Sequence, residues 1–209
     1  MWPTDENREA WEQRYRHREE TGHALPEAVR ERLPKLDGKH VLHLLCGSGE
    51  ASAELIELGA LVTGVDPSAE KLAAARERAP AGAFFQAELD ALPLQLRRNR
   101  FTLVYAGTGT LAAVPELDPF VGAVAAALRK SGRVVLHDWH PVFLCVDPVD
   151  LRWRESYFAE GLRRLGELVV AFASSLQLVE VAELPPAGDG GARLDPRVPT
   201  TLLLVAGKS

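Results

Sequence analysis

Residues 41–50 read VLHLLCGSGE, and this stretch decides how the rest of the chain is understood. VLHLLC is a short apolar run of the kind that fills a strand buried on both faces, interrupted by His43. Gly47 and Gly49 follow at once, so backbone there comes close to something with no Cβ in between. A short glycine turn is weak alone. Its meaning depends on what surrounds it.

Outward from the turn, short apolar runs alternate with helix-period segments, the pattern of a parallel sheet covered on both faces. Helices are predicted over 4–20 and 26–33, the latter with a proline in its first turn. Strand one covers 40–45, and its helix runs from Gly49 to the terminating Gly59. Strand two, 61–65, leads through Asp66-Pro67-Ser68 into a helix capped by Ser68 and ending near Ala79. Strands at 83–86 and 101–105, a helix over 116–130 ended by Gly132, and a strand at 133–137 follow. An irregular stretch to about Val149, a helix over 163–174 and strands at 177–184 and 198–206 complete the pattern. The fold class is α/β: a Rossmann-like, doubly wound, mostly parallel sheet of five βα units with a C-terminal antiparallel strand. The chain reads as a single domain over 1–209, with an α-helical N-terminal cap at 1–36 and the core at 37–209.

Composition narrows the function. With 46% hydrophobic and 25% charged residues in 209, the chain can build a sizeable core. A formal net charge of −5 offers no field to draw nucleic acid. The N-terminal run DENREAWEQRYRHREE is polar and of mixed sign, unlike a secretory signal. No apolar run approaches the ~20 residues a bilayer span needs, so a cytoplasmic protein without membrane contact is expected. Two cysteines, Cys46 and Cys145, lack metal-ligand spacing, so neither a disulfide framework nor a metal site is expected.

In an open α/β sheet ligands sit beyond the carboxyl ends of the strands, where strand order reverses. The turn at 45–49 lies there. Asp66 follows Gly47 by 19 residues, a spacing at which a carboxylate accepts the hydrogens of a ribose diol. Asp66-Pro67-Ser68 also reads as a helix cap, so the inference rests on the combination. An adenosine-containing ligand is indicated. A nicotinamide dinucleotide, and with it an NAD(P)-dependent oxidoreductase, is the first alternative, but Ser52 stands where its fingerprint needs a third glycine.

These residues resemble the class I S-adenosylmethionine-dependent methyltransferases. VLHLLCGSGE resembles the family's motif of the form VLDLGCGTG, and LGALVTGVDPSAEKLAAARERA its second strand, acidic residue and helix. FFQAELDALPL, FTLVYAGTGTLAAV and LRKSGRVVLHDWHP resemble the later motifs in the same order. A subgroup of small bacterial methyltransferases of unassigned substrate is similar in its strand-one histidine, an NRxxW segment (Asn7 to Trp11) and His140-Pro141-Val142. The resemblance implies S-adenosyl-L-methionine as cofactor, a small-molecule substrate and direct in-line methyl transfer. It places Leu45 (through its backbone), Gly47, Gly49, Asp66, Pro67, Glu88, Leu89 and Gly107 at the cofactor. His43, Leu45 and Thr102 depart from the family pattern, and a binding protein of this fold without catalysis is a further alternative. A homodimer is left open.

For acid–base work the sequence offers His137-Asp138-Trp139-His140. His140 is the expected catalytic group, in a substrate pocket with Tyr15, Trp139 and Tyr157. Tyr15 follows Trp11 by four residues, on one face of the first helix. His43 reads as a buried strand histidine paired with a neighbour.

Overall fold

The computed structural model describes residues 25–89, 91–147, 152–185 and 198–209. The expected helix over 4–20, with Trp11 and Tyr15, lies outside them.

A short helix α1 (Glu27–Arg30) precedes β1 (His40–Leu44), α2 (Glu50–Glu57), β2 (Leu61–Asp66), α3 (Ala69–Arg78) and β3 (Ala83–Gln86). Then come β4 (Phe101–Ala106), α4 (Thr110–Ala113), α5 (Leu117–Ala127), β5 (Leu128–Trp139) and α6 (Pro141–Cys145). Helix α7 (Leu165–Ser175) leads to β6 (Gln177–Leu184) and β7 (Thr201–Gly207). The seven strands form one sheet in the order β3-β2-β1-β4-β5-β7-β6. The C-terminal strand β7 runs antiparallel to both of its neighbours, β5 and β6, as expected, and the other pairs are parallel. Strand order reverses between β1 and β4, which creates the crevice where this architecture binds ligands.

Alternate strand residues feed two apolar layers. Leu42, Leu44, Val104, Ala106, Leu136 and Leu204 pack against Phe120 and Val124 of α5 and Leu168 and Phe172 of α7. Phe120 and Phe172 are almost fully buried, and each burial stabilises the fold by roughly 1.5–3 kcal/mol. On the opposite face Val41, Leu103, Tyr105, Val135, Leu203 and Val205 pack against α1 and α2 through Val29, Ala51 and Leu55. The edge strand β6 is tied to the turn after α1 by Arg32, whose Nη2 lies 2.8 Å from a Glu180 carboxylate oxygen.

The structure differs from the sequence reading around β5. The helix expected to reach residue 130 ends at Ala127, and the chain is extended from Leu128. Ser131 takes φ 60°, and Gly132 is so close to β4 that a Cβ there would sit 2.8 Å from the Phe101 carbonyl oxygen. Lys208, at the far end of the chain, donates to the carbonyls of Ala125 (2.6 Å) and Leu128 (3.0 Å). A cation thus takes the place of the next helical turn, as suits a helix carboxyl end. Among the described residues no helix is long and apolar enough to cross a membrane.

Candidate functional site

Five segments converge at the carboxyl edge of the sheet: the β1 turn, the ends of β2 and β3, the β4 turn and the end of β5. The β1 turn is held in place by Asp66. This carboxylate is only 1% exposed, and its two oxygens accept the amides of Gly47 (2.9 Å) and Ser68 (2.9 Å). A carboxylate has about four acceptor positions, so two remain for a ligand. Ser68 caps α3 by accepting the Lys71 amide at 3.2 Å, and Pro67 beside it is half-buried. Arg78 of α3 donates to the Ser48 carbonyl at 2.6 Å and pairs with Glu50, which fixes the outer side of the turn.

The two motif glycines serve different ends. Gly47 adopts φ 54° and has no atom within 4 Å of where a Cβ would stand, so its bare face borders open space. Gly49, at φ 86°, starts α2, and a Cβ there would sit 2.9 Å from Ala75 Cα. The expected cofactor role of Gly49 is therefore joined by a packing role: it lets α2 and α3 close on each other. Leu45 also sits in the left-handed region, at φ 52°. Its Cδ2 comes within 3.7 Å of the Cβ position of Gly109, so the side chain reaches across the crevice to the β4 turn. Beyond β3, Glu88 is exposed and Leu89 is buried at 2% in the core.

On the other side of the crevice, Asp138 organises the β4 turn. Its Oδ1 accepts the Gly109 amide and its own neighbour Trp139, and Oδ2 accepts Leu111, all at 2.7 Å. Burial pushes this carboxyl up to about 6, while the three amides pull the other way. Gly107 is half-buried, and the atoms nearest its Cβ position belong to Tyr105, whose hydroxyl is 3.3 Å away.

The histidines separate into distinct roles. His43 is 4% exposed, with Nδ1 2.8 Å from Ser52 Oγ and its ring centroid 5.0 Å from that of Tyr105. It is the paired strand histidine that the sequence suggested. Ser52, standing where a dinucleotide fingerprint has glycine, is fully buried in that contact.

His140, the expected catalytic group, caps α6. Its Nδ1 accepts the Val142 amide at 3.1 Å, so the proton is on Nε2, which donates to Glu183 at 2.8 Å. Both ring nitrogens are engaged and the residue is 2% exposed, so it has no free nitrogen with which to accept a proton. In this arrangement His140 serves as the cap of α6 and the partner of Glu183. Trp139 stacks on Phe143 at 5.6 Å, and the Tyr157 hydroxyl accepts the Leu165 amide at 3.3 Å, anchoring α7. Tyr15 lies outside the described residues.

His137, which the sequence reading passed over for His140, is 6% exposed and on the same strand face as Val135. Burial lowers His43 to about 3 and His137 to about 4. Both stay neutral in the folded chain where the unfolded chain protonates them, so their contribution to stability falls with pH below about 6.5. Asp138 acts in the opposite sense, because the folded state binds its proton more tightly. Between pH 7.5 and 5.0 each histidine should remove about 2 kcal/mol and Asp138 should return about 1 kcal/mol. Urea unfolding at the two pH values should show a net loss of about 2–3 kcal/mol. A protein equally stable at both would show that these imidazoles are not buried.

Residues 41–132 match a family model described as a methyltransferase domain. An uncharacterized methyltransferase of Synechocystis is 32% identical over 123 residues, covering 58% of this chain and 56% of the relative. A trans-aconitate 2-methyltransferase of Paracidovorax citrulli is 41% identical over 108 residues, covering 50% of this chain and 40% of that protein. The chain thus spans about half the length of these relatives. The structure of an S-adenosylmethionine-dependent methyltransferase from Mesorhizobium loti superposes with a TM-score of 0.72 at 25% identity, covering 87% of this chain and 96% of that one.

Proposed function

We propose that this chain, which belongs to the class I S-adenosylmethionine-dependent methyltransferases, transfers a methyl group to a small-molecule acceptor by direct in-line displacement. The observation that carries the reading is the Asp66–Gly47 clamp, which holds a bare backbone face open at the switch-point crevice. The residues present suit the cofactor: Gly47 leaves room for it, Asp66 retains acceptor positions for a ribose diol, and Glu88 stands exposed beside β3. When bound, S-adenosylmethionine supplies an activated methyl on a sulfonium. The chain's own work is then alignment: the two turns fix one reactant, and the face beside Tyr105 and His137 receives the other. A relative named for trans-aconitate as substrate and the absence of net positive charge support a small acceptor.

Screening small hydroxyl, carboxyl, amine and thiol compounds with radiolabelled methyl donor tests this reading. Label should appear in at least one small acceptor. Cofactor binding without transfer to any of them would favour a non-catalytic binder.

A further inference from the structure

The edge of the sheet opposite the crevice carries charge that neither the fold nor methyl transfer uses. There the amino ends of β1, β4 and β5 meet the carboxyl end of β7. Residues 97–100 read RRNR, residues 129–133 read RKSGR, and Lys208 follows β7. These segments hold seven of the chain's 24 lysines and arginines and no acidic residue.

The three segments form one surface. The amides of Asn99 and Arg100 donate to the carbonyls of Ala126 and Ala127, and Arg129 Nε donates to Thr102 Oγ1 at 3.0 Å. The Ser131 amide donates to the Lys208 carbonyl, and Lys208 Nζ donates to Asn99 Oδ1. Asn99 and Ser131 both sit in the left-handed region, at φ 52° and 60°. In residues other than glycine that conformation persists only where the surroundings hold it, so both turns are fixed in shape. Elsewhere arginines pair with carboxylates: Arg30 with Glu54, Arg32 with Glu180, Arg78 with Glu50 and Arg164 with Glu167. Among the described residues none of the seven cations at this edge does so, and Arg98, Lys130 and Arg133 are exposed with no polar partner. Burial and the neighbouring Arg100 guanidinium hold His40 below its ordinary value, in keeping with an uncompensated positive field. Strands lie about 4.8 Å apart, so the row from β1 to β7 spans about 15 Å. Leu61, exposed and opposite His40 in the register, adds an aliphatic group at the β2 end.

We propose that this edge docks a short acidic segment of a partner protein. Its carboxylates pair with the free guanidinium and ammonium groups, bidentately at the arginines, and an aliphatic side chain covers Leu61. The extent of the patch selects a short segment over a long polyanion. Outside the seven cations the chain carries 17 basic residues against 29 acidic ones. A bilayer surface or a nucleic-acid duplex running past the row comes within a Debye length, about 8 Å, of that acidic remainder. The segments also contain no aromatic ring on which a base could stack. Strand β4 is six residues long, so the partner sits about 20 Å from the donor crevice and leaves it open.

Fluorescence anisotropy of a labelled peptide of six glutamates flanked by leucines, added to the full chain, tests this. Saturable binding is expected at about 50 mM salt, weakening as ionic strength rises. Arg98→Ala, Lys130→Ala and Arg133→Ala together should weaken it at least tenfold, with S-adenosylhomocysteine affinity and thermal unfolding unchanged. Should the triple variant melt early, Arg98→Gln alone should still cost twofold or more. Lys71→Glu with Val170→Glu makes the same change in net charge on α3 and α7, and should weaken binding less than twofold. A peptide that does not bind, or that loses affinity equally in both multiple variants, overturns the proposal. So does tighter binding of a short DNA duplex or of phosphatidylserine vesicles that the triple variant abolishes. Self-association in sedimentation that the same three substitutions remove would assign the patch to a second copy and overturn it as well.

Discussion

Asp138→Ala should be among the most destabilising single substitutions in the chain, costing about 3–6 kcal/mol. The carboxylate is 2% exposed and is the acceptor for the amides of Gly109, Leu111 and Trp139. Alanine would leave three donors unpaired in or near the core, each worth roughly 1–3 kcal/mol. Against a typical total of about 5–15 kcal/mol, that is a large fraction of the stability. The melting temperature should fall by about 10–20 °C for a domain of this size. Asp138→Asn should be milder but still costly, because its amide group would present donors to donors. Loss of under 1 kcal/mol on Asp138→Ala would show that the β4 turn is held by something else.

Asp66→Ala is expected to have the largest effect on ligand affinity. In this structure the carboxylate first serves the fold, by holding the Gly47 and Ser68 amides. The proposed ribose contact uses its remaining acceptor positions. Losing hydrogen bonds to a charged group should weaken S-adenosylhomocysteine by about 1.5–3 kcal/mol, or ten- to 150-fold. A double-mutant cycle separates the two duties. The 2′-deoxy analogue should bind wild type more weakly than S-adenosylhomocysteine does, and Asp66→Ala should bind both about equally. If removing the hydroxyl costs the same in both proteins, Asp66 is a turn anchor alone.

Much of this was legible from residues close together in sequence. The runs at β1, β2 and β4 are apolar because both faces of those strands are buried, and Ser68 caps its helix through a residue three positions on. Contacts across the chain were not legible. His140 looked like the free base because nothing nearby announced Glu183, 43 residues later on another strand. Asp138 looked like part of the same acid–base group, yet its carboxylate serves amides 29 and 27 residues earlier. One signal could have found His137. Strand alternation puts it on the face of Val135 and away from Asp138, so the four residues HDWH could never act as one cluster. The start of β5 was hidden because LRKSG, with its basic residues and glycine, reads as a helix end. The chain is instead extended at Leu128 and turned at Ser131, with Gly132 pressed on Phe101. The packing role of Gly49 was not legible, because sequence cannot show Ala75 against it.

The crevice between the β1 and β4 turns should take the methyl donor. Isothermal calorimetry of S-adenosylhomocysteine against the full chain, with NAD as the comparison ligand, measures it directly. Saturable one-to-one binding of S-adenosylhomocysteine, weakened by Asp66→Ala, is expected, with no binding of NAD. Heat on addition of NAD with none for S-adenosylhomocysteine would contradict it.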